Sequence, residues 1–219
     1  MIETMLFDLD GTLLDRDASV VMFAQQQHRR YEELHAISRG DYVRSFVEID
    51  DNGYVWKDQV YQQLIARYDL CGVTWERLLQ DYVDSFAAAC VGFAGLKEML
   101  EALTCRGYSL GIITNGRSPF QEGNIWALGI ESFFSVILVS GAVGVKKPDV
   151  RIFEQALKAL NARPETSVFI GDSPLADIKG AQQAGMKAIW KVSPRWERCD
   201  YADATCENLL ELPDIIDAL

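Results

Sequence analysis

The chain has 219 residues, of which 49% are hydrophobic and 24% charged, and its formal net charge at pH 7 is −11. This length and apolar content suit one large domain, or one domain with an insertion, and exclude a disordered chain. So acidic a surface argues against binding to a nucleic-acid backbone, although a locally positive site can still bind a small phosphorylated molecule.

The cysteines and the N-terminus bear on the compartment in which the protein works. There are five cysteines, and no two of them have CxxC spacing, so neither a disulfide framework nor a zinc site is expected. This fits a reducing compartment, and residues 1–4 lack the basic region of a signal peptide. The apolar-rich run at residues 133–139 is far too short to span a membrane. We therefore expect a cytoplasmic protein with no membrane and no nucleic-acid partner.

The first predicted element is a strand within residues 5–14 that ends on Asp8 and Asp10. Because side chains at positions i and i+2 of a strand point the same way, the two carboxylates should share one side. Carboxylates that close repel each other, so they need a cation, a shared proton or a nearby lysine to stay ionised. Gly11 then permits a tight exit from the strand. The alternative is an ordinary strand that ends in a polar turn.

Residues 15–90 are predicted to be helical, because apolar and aromatic residues recur there at spacings of three and four. Strand signals are almost absent, and glycines near positions 40, 53 and 72 divide the segment into about four helices. We expect this bundle to form a domain of residues 15–90, inserted after the first strand. Residues 1–14 and 91–219 would then form the other domain.

From residue 93 the pattern changes to helices that alternate with nearly continuous apolar strands. The predicted strands lie at 108–114, 136–139, 167–172 and 186–192, and the predicted helices at 96–103, 119–128, 150–160 and 177–184. Such alternation predicts an α/β fold with a Rossmann-like parallel sheet covered by helices on both faces. Ligands of such sheets bind beyond the carboxyl ends of the strands.

Polar side chains follow four of the predicted strands at those ends. They are Asp8 and Asp10, then Thr114 and Asn115, then Lys146 and Lys147, and finally Asp172 and Asp177. Carboxylate oxygens are the ligands that Mg²⁺ prefers, usually together with waters and a substrate phosphate. A threonine hydroxyl and a lysine suit phosphoryl oxygens. The set indicates phosphoryl transfer, in which positioning and charge neutralisation provide most of the catalysis.

The same residues form four motifs that resemble those of the haloacid dehalogenase-like (HAD) hydrolase superfamily. The motifs are Asp8-Leu9-Asp10-Gly11-Thr12, Thr114-Asn115-Gly116, Lys147-Pro148-Asp149 and Gly171-Asp172-Ser173-Pro174-Leu175-Ala176-Asp177. They come in the family's order and spacing, and they span nearly the whole chain. The helical insert is similar to the family's small α-helical cap. The resemblance implies a phosphatase-type member with a HAD-like core, an inserted helical cap and Mg²⁺ as cofactor.

The resemblance also implies roles for the acidic residues. Asp8 would be the nucleophile that forms an aspartyl-phosphate. Asp10 would protonate the leaving oxygen and then take a proton from the hydrolytic water. The Asp8 side chain, the Asp10 backbone carbonyl and Asp172 would hold Mg²⁺. Asp177 would support the metal's waters or the lysine.

Thr114, Lys147 and the backbone N–H of Asn115 would bind the phosphoryl oxygens, by the same resemblance. Each has a plainer alternative: residues 114–116 could be only a turn, and the two lysines could be solvated surface charges. Lys147 stands where the family's lysine stands, before a proline, whereas Lys146 is expected to be structural.

Some residues of the insert are further candidates. Arg44 and Lys57 could reach a substrate, or they could lie on an exposed helix face. His28 and His35 are expected to have surface or packing roles rather than to act as a catalytic base.

The leading interpretation is a Mg²⁺-dependent phosphatase of a small phosphorylated metabolite, present as a monomer or homodimer. One alternative is a phosphomutase of the same superfamily, which keeps both aspartates of the first motif. Another is a 2-haloacid dehalogenase, but family dehalogenases lack the second aspartate, which is present here as Asp10. A third is a non-catalytic binding module on this fold, against which the intact motif residues argue.

Overall fold

The computed structural model describes residues 1–219. The chain packs as two compact units, one made of Met1–Asp15 with Gly92–Leu219 and the other of Arg16–Val91. Each junction lies one residue from the predicted one, which put the insert at 15–90. That the smaller unit acts as a cap stays a prediction. None of the helices is both long and apolar enough to cross a lipid bilayer.

A parallel six-stranded sheet lies at the centre of the larger unit, in the order β3-β2-β1-β4-β5-β6. Its strands are β1 (Thr4–Phe7), β2 (Ser109–Thr114), β3 (Val136–Val139), β4 (Ser167–Gly171), β5 (Lys187–Lys191) and β6 (Ala204–Cys206). The register pairs Thr4 with both Ser109 and Ser167. Three distant segments therefore meet at the centre of the sheet, and the predicted α/β fold is confirmed.

Ten α-helices accompany the sheet. The smaller unit contains α1 (Arg16–Arg30), α2 (Arg39–Asp50), α3 (Lys57–Tyr68) and α4 (Trp75–Ser85). The larger unit contains α5 (Leu96–Cys105), α6 (Phe120–Leu128), α7 (Ser140–Val143), α8 (Val150–Ala159), α9 (Gly180–Gln183) and α10 (Leu212–Asp217). The four predicted helices of the insert are thus present.

One apolar layer of the larger unit packs α8 and α9 against the sheet. Phe153 of α8 contacts Phe169 of β4 edge to face, with ring centroids 5.2 Å apart. Every residue of β4 is buried, as expected for a central parallel strand covered on both faces. This packing fixes the carboxyl end of β4, which carries Asp172.

The smaller unit has a hydrogen-bonded core around Gln27. The buried Gln27 side chain donates to the Leu78 carbonyl at 3.1 Å and to Asp81 at 2.9 Å. Its oxygen accepts from the hydroxyls of Tyr42 at 2.8 Å and Tyr61 at 2.9 Å. The amide group is therefore fully satisfied, which a buried polar side chain requires.

The charged candidates of the insert have different environments. Lys57 is 1% exposed and forms an ion pair with Asp50, which also contacts Arg16 at 2.8 Å. Because Lys57 is buried, it does not lie on an exposed helix face, and that alternative is wrong. Asp50 supplies the counter-charge that a buried amine needs. Arg44 is exposed and pairs with Asp41 on the same helix.

The two histidines have the packing and surface roles expected of them. His28 is buried, and its Nε2 lies 3.0 Å from the Ile37 carbonyl. His35 is exposed, and its Nε2 lies 2.9 Å from the His28 carbonyl.

Candidate active site

Three of the predicted residues lie at the carboxyl ends of adjacent strands. Asp8 follows β1, Thr114 is the last residue of β2, and Asp172 follows β4. All three are buried, with 6%, 1% and 6% exposure respectively. The Asp8 N–H donates to the Ile170 carbonyl at 2.9 Å, which extends the β1–β4 ladder by one residue. The parallel topology therefore brings these side chains to one edge of the sheet.

Asp8, Asp172 and Asp177 form a buried acidic cluster. One carboxylate oxygen from each lies within 4.8 Å of the other two. The predicted cluster had four carboxylates, but Asp10 is outside this group. The regular strand ends at Phe7, so Asp10 belongs to the following turn and the alternation of side chains does not set its direction. Three hard oxygen donors at this spacing fit a small divalent cation such as Mg²⁺.

Lys147 provides the positive charge of the site. Its Nζ lies 2.6 Å from Oδ1 of Asp8 and 2.7 Å from Oδ1 of Asp177, and it stands 5.0 Å from the centre of the Phe169 ring. Lys147 is buried, whereas Lys146 is exposed. The two adjacent lysines therefore have different environments, and Lys147 is not the solvated surface charge that was the alternative. That Lys147 binds phosphoryl oxygens stays a prediction.

Asn115 fixes the backbone of Lys147. Its side-chain amide donates to the Lys147 carbonyl at 3.0 Å, and its side-chain oxygen accepts from the Lys147 N–H at 2.9 Å. Sequence reasoning did not predict this contact for the Asn115 side chain. It ties the end of β2 to the loop that carries the lysine.

Asp177 is held by contacts to both of its carboxylate oxygens. Its Oδ2 accepts the Ser173 N–H at 2.9 Å, while its Oδ1 pairs with Lys147. Gly171 makes this contact possible, because a Cβ there would lie 2.5 Å from the Asp177 carboxylate. Both oxygens of Asp177 are thus engaged by the protein, which suits a supporting role better than metal ligation.

Burial and mutual repulsion set the charges of the site. Burial raises the pKa of Asp8 well above its usual value; Asp177 and Asp172 add to this, and Lys147 opposes it. Burial and Asp177 raise the pKa of Asp172 to about 7, against the opposing effects of Arg195 and Lys147. Burial lowers the pKa of Lys147, but its pairing with Asp177 and Asp8 more than compensates, so that pKa is raised. The lysine is therefore charged, and a bound cation would favour ionisation of both aspartates.

We expect Mg²⁺ to stabilise the protein more at about pH 8 than at about pH 5.5. Because the pKa of Asp172 is raised, its ionisation costs stability; the cost is absent below the unfolded value and is complete above about 7. A cation that binds the ionised carboxylates removes this cost, so its benefit increases with pH. The difference between the melting temperatures with and without Mg²⁺, taken at each pH, measures this benefit. Asp172→Asn is the control, which should lose the increase with pH. An equal Mg²⁺ effect at both pH values would contradict the assignment.

Gly11 lies against Asp172 and gives a second test of the cluster. Gly11 has φ of +84°, and a Cβ there would lie 2.6 Å from Oδ2 of Asp172. Gly11→Ala should therefore displace Asp172 and weaken Mg²⁺ binding by about 10- to 100-fold, as measured by calorimetric titration. Gly107→Ala is the matched control, since Gly107 has φ of +83° with nothing within 4 Å of its Cβ position. Equal Mg²⁺ affinities of the two variants would contradict the proposed contact.

Asp10 and Thr114 are joined by Gln121, which sequence reasoning missed. The Gln121 amide nitrogen donates to Oδ2 of Asp10 at 2.7 Å and to Oγ1 of Thr114 at 2.8 Å. A glutamine in a predicted helix is an ordinary surface residue, so its type carries no signal. Its position in the first turn of the helix after the Thr114 strand end was the one available indication.

The structure therefore brings the predicted residues together in two sets. Asp8, Asp172, Asp177 and Lys147 form the first, and Thr114 joins Asp10 through Gln121 in the second. Such a site can place a carboxylate nucleophile, a cation and a separate acid or base around one phosphoryl group. The catalytic role of each residue stays a prediction.

Comparison with known proteins agrees with this arrangement. Residues 5–191 match the family described as haloacid dehalogenase-like hydrolase. A glyceraldehyde 3-phosphate phosphatase from Pyrococcus abyssi is 33% identical over 199 residues, 87% of this chain and 81% of that protein. The corresponding enzyme from Pyrococcus furiosus is 37% identical over 127 residues, 57% of this chain and only 53% of that relative.

A solved structure shows the same fold over its whole length. The YfnB hydrolase of Bacillus subtilis, bound to magnesium, has a TM-score of 0.79 at 24% identity, with 99% of each chain covered. The family match includes all four motifs and most of the sequence. The chain therefore belongs to the haloacid dehalogenase-like hydrolase family of enzymes.

Proposed function

We propose that the protein is a Mg²⁺-dependent phosphatase that hydrolyses phosphate monoesters of small metabolites through a phosphorylated Asp8. The observation that most supports this is the 2.6 Å contact between Lys147 and Asp8 beside the buried acidic cluster. This arrangement places the proposed nucleophile, a phosphate-binding lysine and a metal site at one edge of the sheet. The relatives named as glyceraldehyde 3-phosphate phosphatases fit this class of substrate.

In the first step an oxygen of the Asp8 carboxylate attacks phosphorus. The bond between phosphorus and the leaving oxygen breaks, and Asp10 gives its proton to that oxygen. Lys147 and Thr114 bind the phosphoryl oxygens, helped by the Asn115 N–H, and neutralise the charge that they carry in the transition state. The product alcohol leaves, and Asp8 carries the phosphoryl group.

In the second step a water molecule attacks the same phosphorus. Asp10, now ionised, takes a proton from the water, and the bond between phosphorus and the Asp8 oxygen breaks. Inorganic phosphate leaves, and both carboxyl groups return to their starting protonation states. Asp10 therefore acts as acid in the first step and as base in the second.

The acidic cluster fits the cofactor that this mechanism needs. The Asp8 carboxylate, Asp172 and the Asp10 backbone carbonyl would hold Mg²⁺, which when bound supplies positive charge next to the phosphoryl group. The fit is supported by the spacing of Asp8 and Asp172, which each place a carboxylate oxygen within 4.8 Å of the other, and by the burial that raises the pKa of both. Asp177 is proposed to position Lys147 instead, because both its oxygens are already engaged.

The pairing of Asp10 with Gln121 favours a phosphatase over a dehalogenase. Displacement of a halide from carbon needs no proton donor, because halide is a stable leaving group. An alkoxide leaving group, in contrast, needs a proton. Asp10 can supply one, because it is a second carboxyl group that a hydrogen bond from Gln121 holds apart from the nucleophile. We therefore expect no chloride release from 2-chloropropionate.

We also propose that the Arg16–Val91 unit is the substrate-selecting cap. The chain enters this unit at Arg16, shortly after Asp10, and leaves it at Val91. Insertion at this point connects the unit directly to the turn that carries the proposed acid and base. The protein is proposed to act as a monomer or homodimer.

Phosphate release from a panel of phosphorylated metabolites tests the proposal, with p-nitrophenyl phosphate as the generic substrate. We expect activity with Mg²⁺, loss of activity in EDTA and recovery when excess Mg²⁺ is restored. Undiminished turnover in EDTA, or no turnover of any phosphate monoester, would contradict it. Transfer of phosphate within a sugar phosphate without release would identify a mutase instead.

A further inference from the structure

We infer that Gln121 is a positioning residue that determines where the protons of Asp10 and Thr114 lie; this inference rests on the proposed phosphatase function. One amide group contacts both residues, although they belong to different strand ends and have different proposed roles. The consequence is that a single side chain prepares the acid for the leaving group and the hydroxyl for the phosphoryl group.

The geometry uses both hydrogens of the Gln121 amide nitrogen. One is donated to Oδ2 of Asp10 at 2.7 Å and the other to Oγ1 of Thr114 at 2.8 Å. Gln121 is 3% exposed, so water does not compete effectively for these contacts. Neither contact can be replaced by solvent without opening the site.

Two neighbours fix the Gln121 side chain. The Asn124 amide donates to the Gln121 side-chain oxygen at 3.1 Å, which orients the Gln121 nitrogen toward Asp10 and Thr114. Gly116 leaves the space that Gln121 occupies, since a Cβ there would lie 2.6 Å from the Gln121 side chain. A glycine is therefore needed at position 116 to make room for Gln121, whatever the turn itself requires.

This orientation decides the direction of every proton in the network. Because the amide nitrogen only donates, Oδ2 of Asp10 must accept. A carbonyl oxygen accepts better than a carboxylic hydroxyl, so this contact favours the acidic proton of Asp10 on Oδ1. Oγ1 of Thr114 likewise accepts, so its own hydrogen is available to a phosphoryl oxygen. The opposite orientation would present an acceptor to both groups and would consume the two protons that the reaction needs.

A positioning role for Gln121 predicts a dependence on the leaving group that a purely structural role does not. Loss of Gln121 should impair proton transfer to the leaving oxygen, which matters for an alkyl phosphate because alkoxide is a poor leaving group. The same loss should matter little for p-nitrophenyl phosphate, whose leaving group needs no proton. A general distortion of the site would instead slow both substrates alike.

The test compares the first turnover of Gln121→Met with that of the wild type. Phosphorylation of Asp8 is followed by acid quench, so the later role of Asp10 as a base does not contribute. We expect phosphorylation by an alkyl phosphate to slow by about 100-fold, the usual range for general acid catalysis, and that by p-nitrophenyl phosphate to slow less than about tenfold. Gln183→Met, at an exposed position, is the control and should match the wild type.

Gln121→Glu provides a second variant of the same shape. It presents carboxylate oxygens to Asp10 and Thr114, so the alkyl phosphate reaction should slow at least as much as in Gln121→Met. Equal slowing of both substrates, wild-type rates in either variant, or full rescue by glutamate would overturn the inference. A wild-type protein that hydrolyses no phosphate monoester would instead refute the proposed function.

Discussion

Asp8→Asn should abolish phosphate release, with a loss on the order of 10⁴-fold or more, because no other group replaces a missing nucleophile. The variant should remain folded. Burial raises the pKa of Asp8, which means that its charge is a cost to the folded state. A neutral asparagine removes that cost, while Lys147 keeps its contact with Asp177.

Initial rates of phosphate release and a thermal unfolding curve measure the two parts of this prediction. Asp214→Asn is the control, because the Asp214 side chain is 91% exposed. It should leave both the rate and the melting temperature near wild type. Appreciable turnover by Asp8→Asn would assign the nucleophile elsewhere, and an unfolded variant would show that the charge of Asp8 is needed for folding.

Lys147→Met should lose both activity and stability. The substitution removes the partner of two buried carboxylates, and breaking a buried ion pair from one side typically costs about 3–5 kcal/mol. Activity should decrease by about 10³-fold, because Lys147 is proposed to neutralise the phosphoryl oxygens. Lys146→Met is the matched control, since Lys146 is the exposed neighbour of a buried lysine.

The stability loss of Lys147→Met should depend on pH. As the pH rises past the raised pKa of Asp8, the carboxylate left without Lys147 becomes charged while buried, so the loss increases with pH. As the pH decreases, Asp8 takes up a proton and the loss becomes smaller. Urea unfolding at about pH 8 and about pH 5 measures this difference. Similar unfolding free energies for Lys146→Met and Lys147→Met would refute the role of the pair.

The strands that carry the site could be predicted because each is a buried apolar run that ends on polar residues. β3 has the predicted bounds, and β2, β4 and β5 begin or end within one residue of them. The strand β6 (Ala204–Cys206) was missed because three residues at the edge of the sheet, without an apolar run, carry no periodic signal. The short helices α7 and α10 were missed because four and six residues are too few to show a helical period.

The helix predicted at 177–184 starts earlier than expected. Helical structure begins at Pro174, because the Ser173 side chain accepts the Ala176 N–H at 3.2 Å and caps the first turn. If that helix began at residue 177, Asp177 would be its N-terminal acid. It lies inside the turn instead, where its carboxylate binds Lys147 and the Ser173 N–H.

Side-chain partners were less predictable than strand ends. Asp8 and Asp172 meet because β1 and β4 are neighbours in the parallel sheet. The contact of Gln121 with Asp10 depends on how one helix is rotated against the sheet, which no local pattern encodes. Lys57 was misjudged because its counter-charge, Asp50, lies on a different helix.

The proposed mechanism requires Asp8 to accept a phosphoryl group. Acid quench of the protein during turnover of a phosphate monoester, followed by peptide mass spectrometry, tests it most directly. We expect one added phosphoryl group on the peptide that contains Asp8, and none in Asp8→Asn. An active protein whose quenched Asp8 peptide never carries phosphate, or carries it at another residue, would refute Asp8 as the nucleophile.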